Sequence, residues 1–270
     1  MILSAVMISR PLLPLVLAAG FSVVACDNSP KHDATANPKP SATAPLPAPE
    51  PTAVKPKPKP KPKKRTLADC PKGNKVAFVD DAVEKEVRRK LSKDKGDITI
   101  ADLGKVRSLN LSQAHLDQLD PCVFTHLKNL HELFLGPSQV LDDLSPIAGL
   151  KHLESLRASL TQISDIKPLE GLVHMDRLDL GHTQVRDLKP LAKLEVITEL
   201  QLDNTPVEDL TPLSKLDKLQ RLSLKNTRVK DFSPLEDLKS LEFIYVAGTP
   251  ATDISPLLPL KKNGLKIIDR

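Results

Sequence analysis

The sequence predicts an α/β solenoid, in which each repeating unit gives one strand to a parallel sheet and one tight turn to the opposite side. The main observation is a period of 22 residues, with apolar residues at the first, fourth and sixth positions of each unit. Thr, Asp and Pro recur in phase with these positions, which chance does not maintain over five units. One strand and turn cannot bury its own apolar face, so neighbouring units must stack. The regular units begin at Leu153, Met175, Ile197, Leu219 and Leu241.

The strands are predicted from the alternation L-x-x-L-x-L at the start of each unit. In LQRLSL, which begins at Leu219, the last two leucines point to one side of the strand and the residues between them to the other. Two earlier units with small insertions begin at Val106 and Leu130, and a partial unit at Leu265–Ile268 closes the chain. We therefore expect about seven repeats and a closing strand.

The turns are predicted from a proline in each unit. In Ser233-Pro234-Leu235 the serine is expected to be the N-cap and the proline the first helical residue of a short turn. Lys167 and Lys189 replace the Ser or Thr in two units, so those turns are expected to be capped less well. The same Ser/Thr-Pro pair occurs at Ser145, Thr211 and Ser255.

A helix is predicted upstream of the repeats. Asp80 and Asp81 at its start and the basic residues 88–90 near its end match the helix dipole, and Gly96 is expected to end it. We interpret residues 70–103 as an N-terminal cap that hides the open apolar end of the solenoid. Its apolar stripe consists of Val79, Val83, Val87 and Leu91.

The pattern L-x-x-L-x-L-x-x-T-x-V-x-D-L-x-P-L-x-x-L resembles the leucine-rich repeat, in the 22-residue form of bacterial internalin-like proteins. The resemblance covers about residues 75–270, with Thr where many such repeats carry Asn. It implies a right-handed arc with a parallel sheet on the concave side and short 3-10 turns on the convex side. The expected domains are a helical cap at residues 66–105 and the repeats at residues 106–270.

The first residues are typical of an export signal. Residues 11–25 form a short apolar run after Arg10, with the length of a secretory signal and not of a membrane span. The run ends in Val23-Val24-Ala25-Cys26, which resembles the lipobox of bacterial lipoproteins. That resemblance implies removal of residues 1–25, lipidation of Cys26 and a membrane-anchored envelope protein, in the periplasm or at the cell surface. The alternative is an ordinary signal peptide with an incidental cysteine.

Residues 26–65 are predicted to be a disordered linker. Residues 27–65 contain 11 of the 25 prolines and no apolar periodicity, and alternating Lys and Pro favour an extended spacer. The whole chain has a net charge of +5, but these residues alone carry +6 and Arg10 one more, which leaves −2 for residues 66–270. The folded part is therefore not a basic nucleic-acid-binding domain. The basic arm is a candidate for contact with an anionic membrane or wall polymer.

The two remaining cysteines, Cys70 and Cys122, are predicted to form a disulfide that joins the cap to the first repeat. Export permits such a bond, and the alternative is two free buried thiols. We expect no metal, cofactor or catalytic site. The recurring Thr and Asp are explained by hydrogen bonds to the turn backbone, and no catalytic or nucleotide-binding motif is present in the sequence.

The outward strand positions are the candidate binding surface. Their charges are mixed in sign, which suits a polypeptide, and aromatic and Arg residues dominate interface energetics. The candidate partner-binding residues are Phe134, Arg157, Arg177, Arg221, Phe243 and Tyr245. The alternative for Phe243 and Tyr245 is that they pack under the closing strand.

The sequence thus favours a non-catalytic, membrane-anchored module that binds a protein through the concave face, with a cell-wall or surface glycan as a further candidate ligand. The alternative is a passive envelope protein whose basic Pro-rich arm does the binding.

Overall fold

Residues 64–270 are described by a computed structural model, and they form a solenoid with one eight-stranded parallel sheet. The strands are ordered along the sheet as they occur in the sequence, which confirms the predicted fold class. The predictions for the signal peptide, for Cys26 and for the linker up to residue 63 lie outside the described residues. The strands are β1 Ser108–Leu111, β2 Glu132–Leu135, β3 Ser155–Arg157, β4 Arg177–Asp179, β5 Glu199–Gln201, β6 Arg221–Ser223, β7 Phe243–Tyr245 and β8 Lys266–Ile268.

Tight turns return the chain from each strand to the next, as predicted. Short α-helices lie at the ends of the solenoid: α1 at Asp81–Leu91, α2 at Ile100–Leu103, α3 at Pro121–Phe124 and α4 at Leu258–Lys262. The other turns are 3-10 helices of three residues each, a length typical of this type of helix. These are Leu67–Asp69, Ser145–Ile147, Lys167–Leu169, Lys189–Leu191, Thr211–Leu213, Ser233–Leu235 and Ser255–Leu257.

The predicted capping of these turns is wrong in its details. The Ser or Thr before each proline is the first residue of the 3-10 helix and makes no N-cap bond. The recurring Asp two residues earlier caps instead: its Oδ1 accepts the backbone N–H of that residue at 2.8 or 2.9 Å in six repeats. Lys167 and Lys189 receive the same backbone cap, but they lack the Ser or Thr hydroxyl that also donates to the Asp in the units of Thr211, Ser233 and Ser255. The capping residues are Asp143, Asp165, Asp187, Asp209, Asp231 and Asp253.

The recurring Thr holds the other end of each unit. Its hydroxyl donates to the backbone carbonyl three residues earlier, at 2.6 to 2.9 Å, as the sequence predicted. Four of the five are buried among the leucines of a single core that runs from the cap to the last strand. A buried carbonyl thus keeps a hydrogen bond where the chain leaves the sheet. The residues are Thr161, Thr183, Thr205, Thr227 and Thr249.

The residue before each of these Thr has a left-handed backbone. Asn204 and Asn226 have φ values of 55° and 54°, and Gly248 has 72°, which Asn and Gly tolerate best. The side chains of Asn204 and Asn226 are joined by a hydrogen bond of 3.1 Å. This position sets the sharp turn that reverses the chain after each strand.

Helix α1 covers the first strand of the sheet, in agreement with the predicted cap. Val83 and Val87 are buried in the common core, while Glu86 accepts the Asn110 N–H at 3.2 Å and so covers the edge of β1. The predicted bounds were too wide. Val79 precedes the N-cap and is exposed, and the helix ends at a left-handed Ser92 well before Gly96.

The Asp80 side chain caps this helix by accepting the N–H groups of Ala82 and Val83.

A disulfide joins the cap to the first repeat, between Cys70 and Cys122, with their Cα atoms 5.3 Å apart. Arg65 donates to Asp120 at 2.8 Å, so the packed part of the chain extends at least to Arg65. Within residues 64–270 no helix is long and apolar enough to cross a membrane.

Candidate protein-binding surface

The outward residues of β1–β8 form two parallel rows, which we call the sheet face. The strands pair in register, so equivalent residues of successive repeats lie side by side, about 4.8 Å apart. The first row is Ser108, Glu132, Ser155, Arg177, Glu199, Arg221, Phe243 and Lys266. The second row is Asn110, Phe134, Arg157, Asp179, Gln201, Ser223, Tyr245 and Ile268.

A shallow depression of about 260 Å³ lies over β2 to β5. The Arg157 guanidinium lies over the Phe134 ring at 5.7 Å from its centroid and pairs with Asp179 at 3.3 Å. These contacts hold the arginine in one orientation while its side chain remains 55% exposed. Arg177 lines the same depression, and its nearest carboxylate is that of Asp176 at 3.8 Å. The structure thus brings together three of the predicted residues, Phe134, Arg157 and Arg177.

A second depression, of about 280 Å³, lies over β5 to β7. Arg221 pairs with Glu199 at 3.3 Å and lies over the Phe243 ring at 5.3 Å from its centroid. Tyr245 lines the depression beside Lys225, whose ammonium lies 4.8 Å from the tyrosine ring centroid. Arg221, Phe243 and Tyr245 therefore form a second group, separated from the first by β5.

The closing strand leaves Phe243 and Tyr245 on the sheet face. β8 pairs in register with β7, so that Lys266 lies beside Phe243 and Ile268 beside Tyr245. Both aromatic residues are partly buried on the sheet face. The proposed alternative, that they pack under the closing strand, does not describe this arrangement.

Sequence reasoning missed Lys225 and Lys266. Lys225 comes after its strand, and so it is not at either of the two outward strand positions. Lys266 was missed because the step from Phe243 to Lys266 is 23 residues and not the regular 22, which shifts its phase relative to the other repeats. The signal that identifies Lys266 is the register of β8 with β7, and its ammonium lies 5.0 Å from the Phe243 centroid.

The recurring Asp carboxylates accept hydrogen bonds from the turns in which they lie. The pKa of Asp209 is lowered, chiefly by hydrogen bonds from the hydroxyl and then from the backbone N–H of Thr211. The pKa values of Asp231 and Asp253 are lowered in the same way by Ser233 and Ser255. These carboxylates thus stabilise the turns in their ionised form.

Three histidines stack where the chain enters β2, β3 and β4. The rings of His131 and His152 have centroids 6.0 Å apart, and those of His152 and His174 are 6.4 Å apart. Among residues 64–270 no group of three or more His, Cys, Asp or Glu is arranged to hold a metal ion. We therefore regard this stack as part of the surface beside the sheet face.

Comparison with protein families agrees with the geometry. The family model "Leucine-rich repeat and WD repeat-containing protein 1, LRR" matches residues 89–186, and the model "Leucine Rich repeats (2 copies)" matches residues 217–259. The chain folds as a leucine-rich-repeat protein. The leucine-rich-repeat resemblance predicted from the 22-residue pattern is thereby confirmed. No curated protein sequence matches this leucine-rich-repeat chain significantly.

Solved leucine-rich-repeat structures share this fold. Internalin C2 of Listeria monocytogenes is 29% identical with a TM-score of 0.59, over 72% of this chain and 94% of its own. Internalin F of the same organism is 24% identical with a TM-score of 0.59, over 71% of this chain and 63% of its own. A leucine-rich-repeat protein of Leptospira interrogans is 21% identical with a TM-score of 0.50, over 62% and 50%. This chain therefore spans less than two thirds of the length of internalin F and of the Leptospira protein.

Proposed function

We propose that this leucine-rich-repeat protein is a non-catalytic binding module that holds a polypeptide partner on the sheet face. Leucine-rich-repeat domains generally use the open surface of the stacked strands for binding. The observation that carries the proposal is the pair of exposed Arg–aromatic groups, Arg157 with Phe134 and Arg221 with Phe243, on in-register strands. Such side chains contribute most of the energy of protein interfaces.

The held orientation of these arginines favours binding. Arg157 and Arg221 each make one ion pair and one ring contact before any partner arrives. A side chain that is already ordered loses less entropy when it binds. Eight strands at about 4.8 Å give a face roughly 34 Å long. That length suits an interface of about 800 Å² per partner.

The mixed charge of the face supports a polypeptide as the ligand. Acidic and basic residues alternate across β4 to β6, as Arg177, Glu199 and Arg221 lie on successive strands. A polypeptide can match such alternation, because its own side chains change sign along the chain. A cell-wall or surface glycan remains the second ligand class of this proposal.

The proposal includes export and a lipid anchor at Cys26, with residues 27–63 as a spacer. The Cys70–Cys122 disulfide supports it, since such bonds persist in oxidising compartments. The apolar run at residues 11–25 and the Lys-Pro alternation of the arm support the signal and the spacer.

The test is site-specific photocrosslinking in the native cell envelope. A photoreactive amino acid replaces Gln201, which lines both depressions, and in a control strain it replaces Lys215 on the turn side. We expect a discrete protein adduct from position 201 and none from position 215. The Arg221→Ala, Phe243→Ala and Tyr245→Ala triple variant should remove most of that adduct while its thermal unfolding midpoint stays within a few degrees.

A different result would favour the passive envelope protein. If adducts form only from a probe in the arm, for example at Lys57, the arm is the binding element and the sheet-face proposal is wrong. An adduct from both Gln201 and Lys215 with the same band pattern would indicate nonspecific proximity and would also contradict it.

A further inference from the structure

The sheet face ends over β6 to β8 in a group of cations and aromatic rings, which we call the cationic end. It consists of Arg221, Lys225, Phe243, Tyr245 and Lys266. The Phe243 ring lies between two cations, with its centroid 5.3 Å from the Arg221 guanidinium carbon and 5.0 Å from the Lys266 ammonium. Lys225 lies over Tyr245 at 4.8 Å. Three positive charges are thus held around two rings.

Two of the three cations of this group have no carboxylate partner among residues 64–270. Within the described part of the chain, no carboxylate oxygen lies within 4.0 Å of the Lys225 or Lys266 ammonium. Ring contacts orient a cation but leave its net charge unchanged. Arg221 alone has an ion-pair partner, Glu199, at the border with β5. Asp203 lies at the same border, where it accepts the Ser223 hydroxyl and the Lys225 backbone N–H.

We propose that the cationic end binds a short acidic segment of the polypeptide partner. This inference rests on the proposed function and adds the chemistry of the contact. Carboxylates form charge-assisted hydrogen bonds with Arg and Lys that are stronger than neutral ones, and they meet Lys225 and Lys266 without displacing an existing partner. The aromatic rings provide the apolar contact area between the charges.

The spacing of the cations sets the length of that segment. Arg221 and Lys266 are two strands apart, or about 10 Å between their backbones. Arg221 and Lys225 are four residues apart, or at most about 13 Å, because β6 ends at Ser223 and Lys225 lies in the turn that follows. In an extended peptide, side chains on one side are about 7 Å apart. Two or three Asp or Glu residues within about five positions therefore match the three cations.

The border of the cationic end favours a polypeptide over an anionic glycan. Asp179 lies on β4, Glu199 on β5 and Asp203 in the turn after β5, within two strand spacings of Arg221. A polyanion with evenly repeated charges that continues across the face meets these carboxylates and is repelled by them. A polypeptide that is acidic only over a few residues avoids that repulsion.

The experiment uses the purified full chain and a phage library of random 12-residue peptides. Peptides selected on the native protein are expected to contain clusters of two to four Asp or Glu. A peptide from that selection is then synthesised, and its dissociation constant is measured by fluorescence anisotropy. The Lys225→Glu/Lys266→Glu variant should bind it at least tenfold more weakly. The Lys215→Glu/Lys239→Glu control, with the same change in charge on exposed turn residues, should change binding less than twofold.

The other outcomes would overturn this inference, and the first of them would do so while keeping the proposed function. Enrichment of neutral or basic peptides whose binding is lost in Phe243→Ala/Tyr245→Ala would keep the sheet face as a binding surface and overturn its acidic preference. Equal weakening by both charge-reversal pairs would indicate a general charge effect and overturn the inference. If a heparin-derived hexasaccharide binds more tightly than the best peptide and competes with it, an anionic glycan is the ligand and the inference is wrong. Circular dichroism checks that each variant is folded.

Discussion

Replacing Thr205 by Val tests how the recurring Thr stabilises the solenoid. Thr205 is 3% exposed, and its hydroxyl donates to the Leu202 carbonyl at 2.6 Å. Valine has nearly the same shape but cannot donate, so the packing is kept and the hydrogen bond is lost. Within the described residues, no backbone N–H reaches this carbonyl with hydrogen-bond geometry. The substitution therefore leaves a buried acceptor without a partner.

The expected cost follows from that burial. An unsatisfied buried acceptor costs about 1–3 kcal/mol. For a domain of this size each kcal/mol lowers the unfolding midpoint by about 2–4 °C, so the Thr205→Val variant should unfold roughly 2–12 °C below the native protein. Thr249→Val should cost less, because Thr249 is only partly buried and the Val246 carbonyl also accepts the Thr249 N–H at 3.1 Å.

Thermal unfolding by circular dichroism and urea denaturation measure these effects. The control is Thr252→Val, since Thr252 is exposed and the exchange there should stay within about 0.5 kcal/mol. The predicted order of destabilisation is Thr205→Val, then Thr249→Val, then Thr252→Val. A Thr205→Val variant as stable as the Thr252→Val control would refute the structural role of the hydroxyl, and the Thr positions would then need another explanation.

Two further predictions concern the turns. Gly248→Ala should destabilise the protein by about 1–2 kcal/mol in urea denaturation, because φ is 72° there and an added Cβ would lie 2.1 Å from the Asn226 Oδ1. Gly248→Asn should cost less than Gly248→Ala. An alanine variant as stable as the native protein would contradict the left-handed turn. The folded-state pKa of Asp209 is lowered, so its contribution to stability is present above about pH 4 and is lost as the pH falls through the folded-state pKa. The thermal unfolding midpoint of the native protein should therefore drop as the pH falls from about 5 to about 2. The Asp209→Asn variant should show a smaller drop. If its midpoint depends on pH as strongly as that of the native protein, the Asp209 cap does not contribute as argued.

Most of the fold could be predicted from the sequence because five units carry the same residue types at the same positions, so each strand and turn is indicated five times. The period of 22 residues fixes the strand positions, and in-register stacking then determines which residues are neighbours in the sheet. The burial of Leu178 and Leu200 and the exposure of Arg177 follow directly from the alternation.

The predictions that were wrong concern which residue caps a turn and where a helix ends. Ser233 is a residue type that often serves as an N-cap, but the Asp231 carboxylate accepts the N–H of Ser233 itself, so Ser233 is the first residue of the turn and not its cap. Helix α1 ends at Ser92 because that residue takes a left-handed conformation with φ of 51°, which sequence alone rarely indicates for serine. Such competition between nearby side chains is decided by geometry, which the pattern of residue types does not contain.

The candidate surface was predictable in position but not in charge balance. The outward positions follow from strand alternation, and six binding candidates were chosen from them. Whether a cation on the face has a carboxylate partner depends on side-chain directions across neighbouring strands: Arg157 and Arg221 have such partners, at 3.3 Å in each case. Lys225 and Lys266 do not, within residues 64–270. A whole-chain charge of +5 gives no indication of this difference.

The repeat also explains why specificity can reside in so few residues. The recurring residues of each unit have structural roles, and replacing them costs stability. The leucines fill the core, the Thr hydroxyl bonds the backbone after the strand, and the Asp carboxylate bonds the backbone of the Pro-containing turn. Most residues at the two outward positions have no such role, and residue types there change from one repeat to the next, although Ser223 is buried and its hydroxyl donates to Asp203. Under the proposed function, the charges and rings that cluster at β6 to β8 while the scaffold stays regular would be set by the ligand and not by the fold. On this reasoning, exchanging the outward residues of β6–β8 should change the ligand preference and leave the unfolding midpoint nearly unchanged.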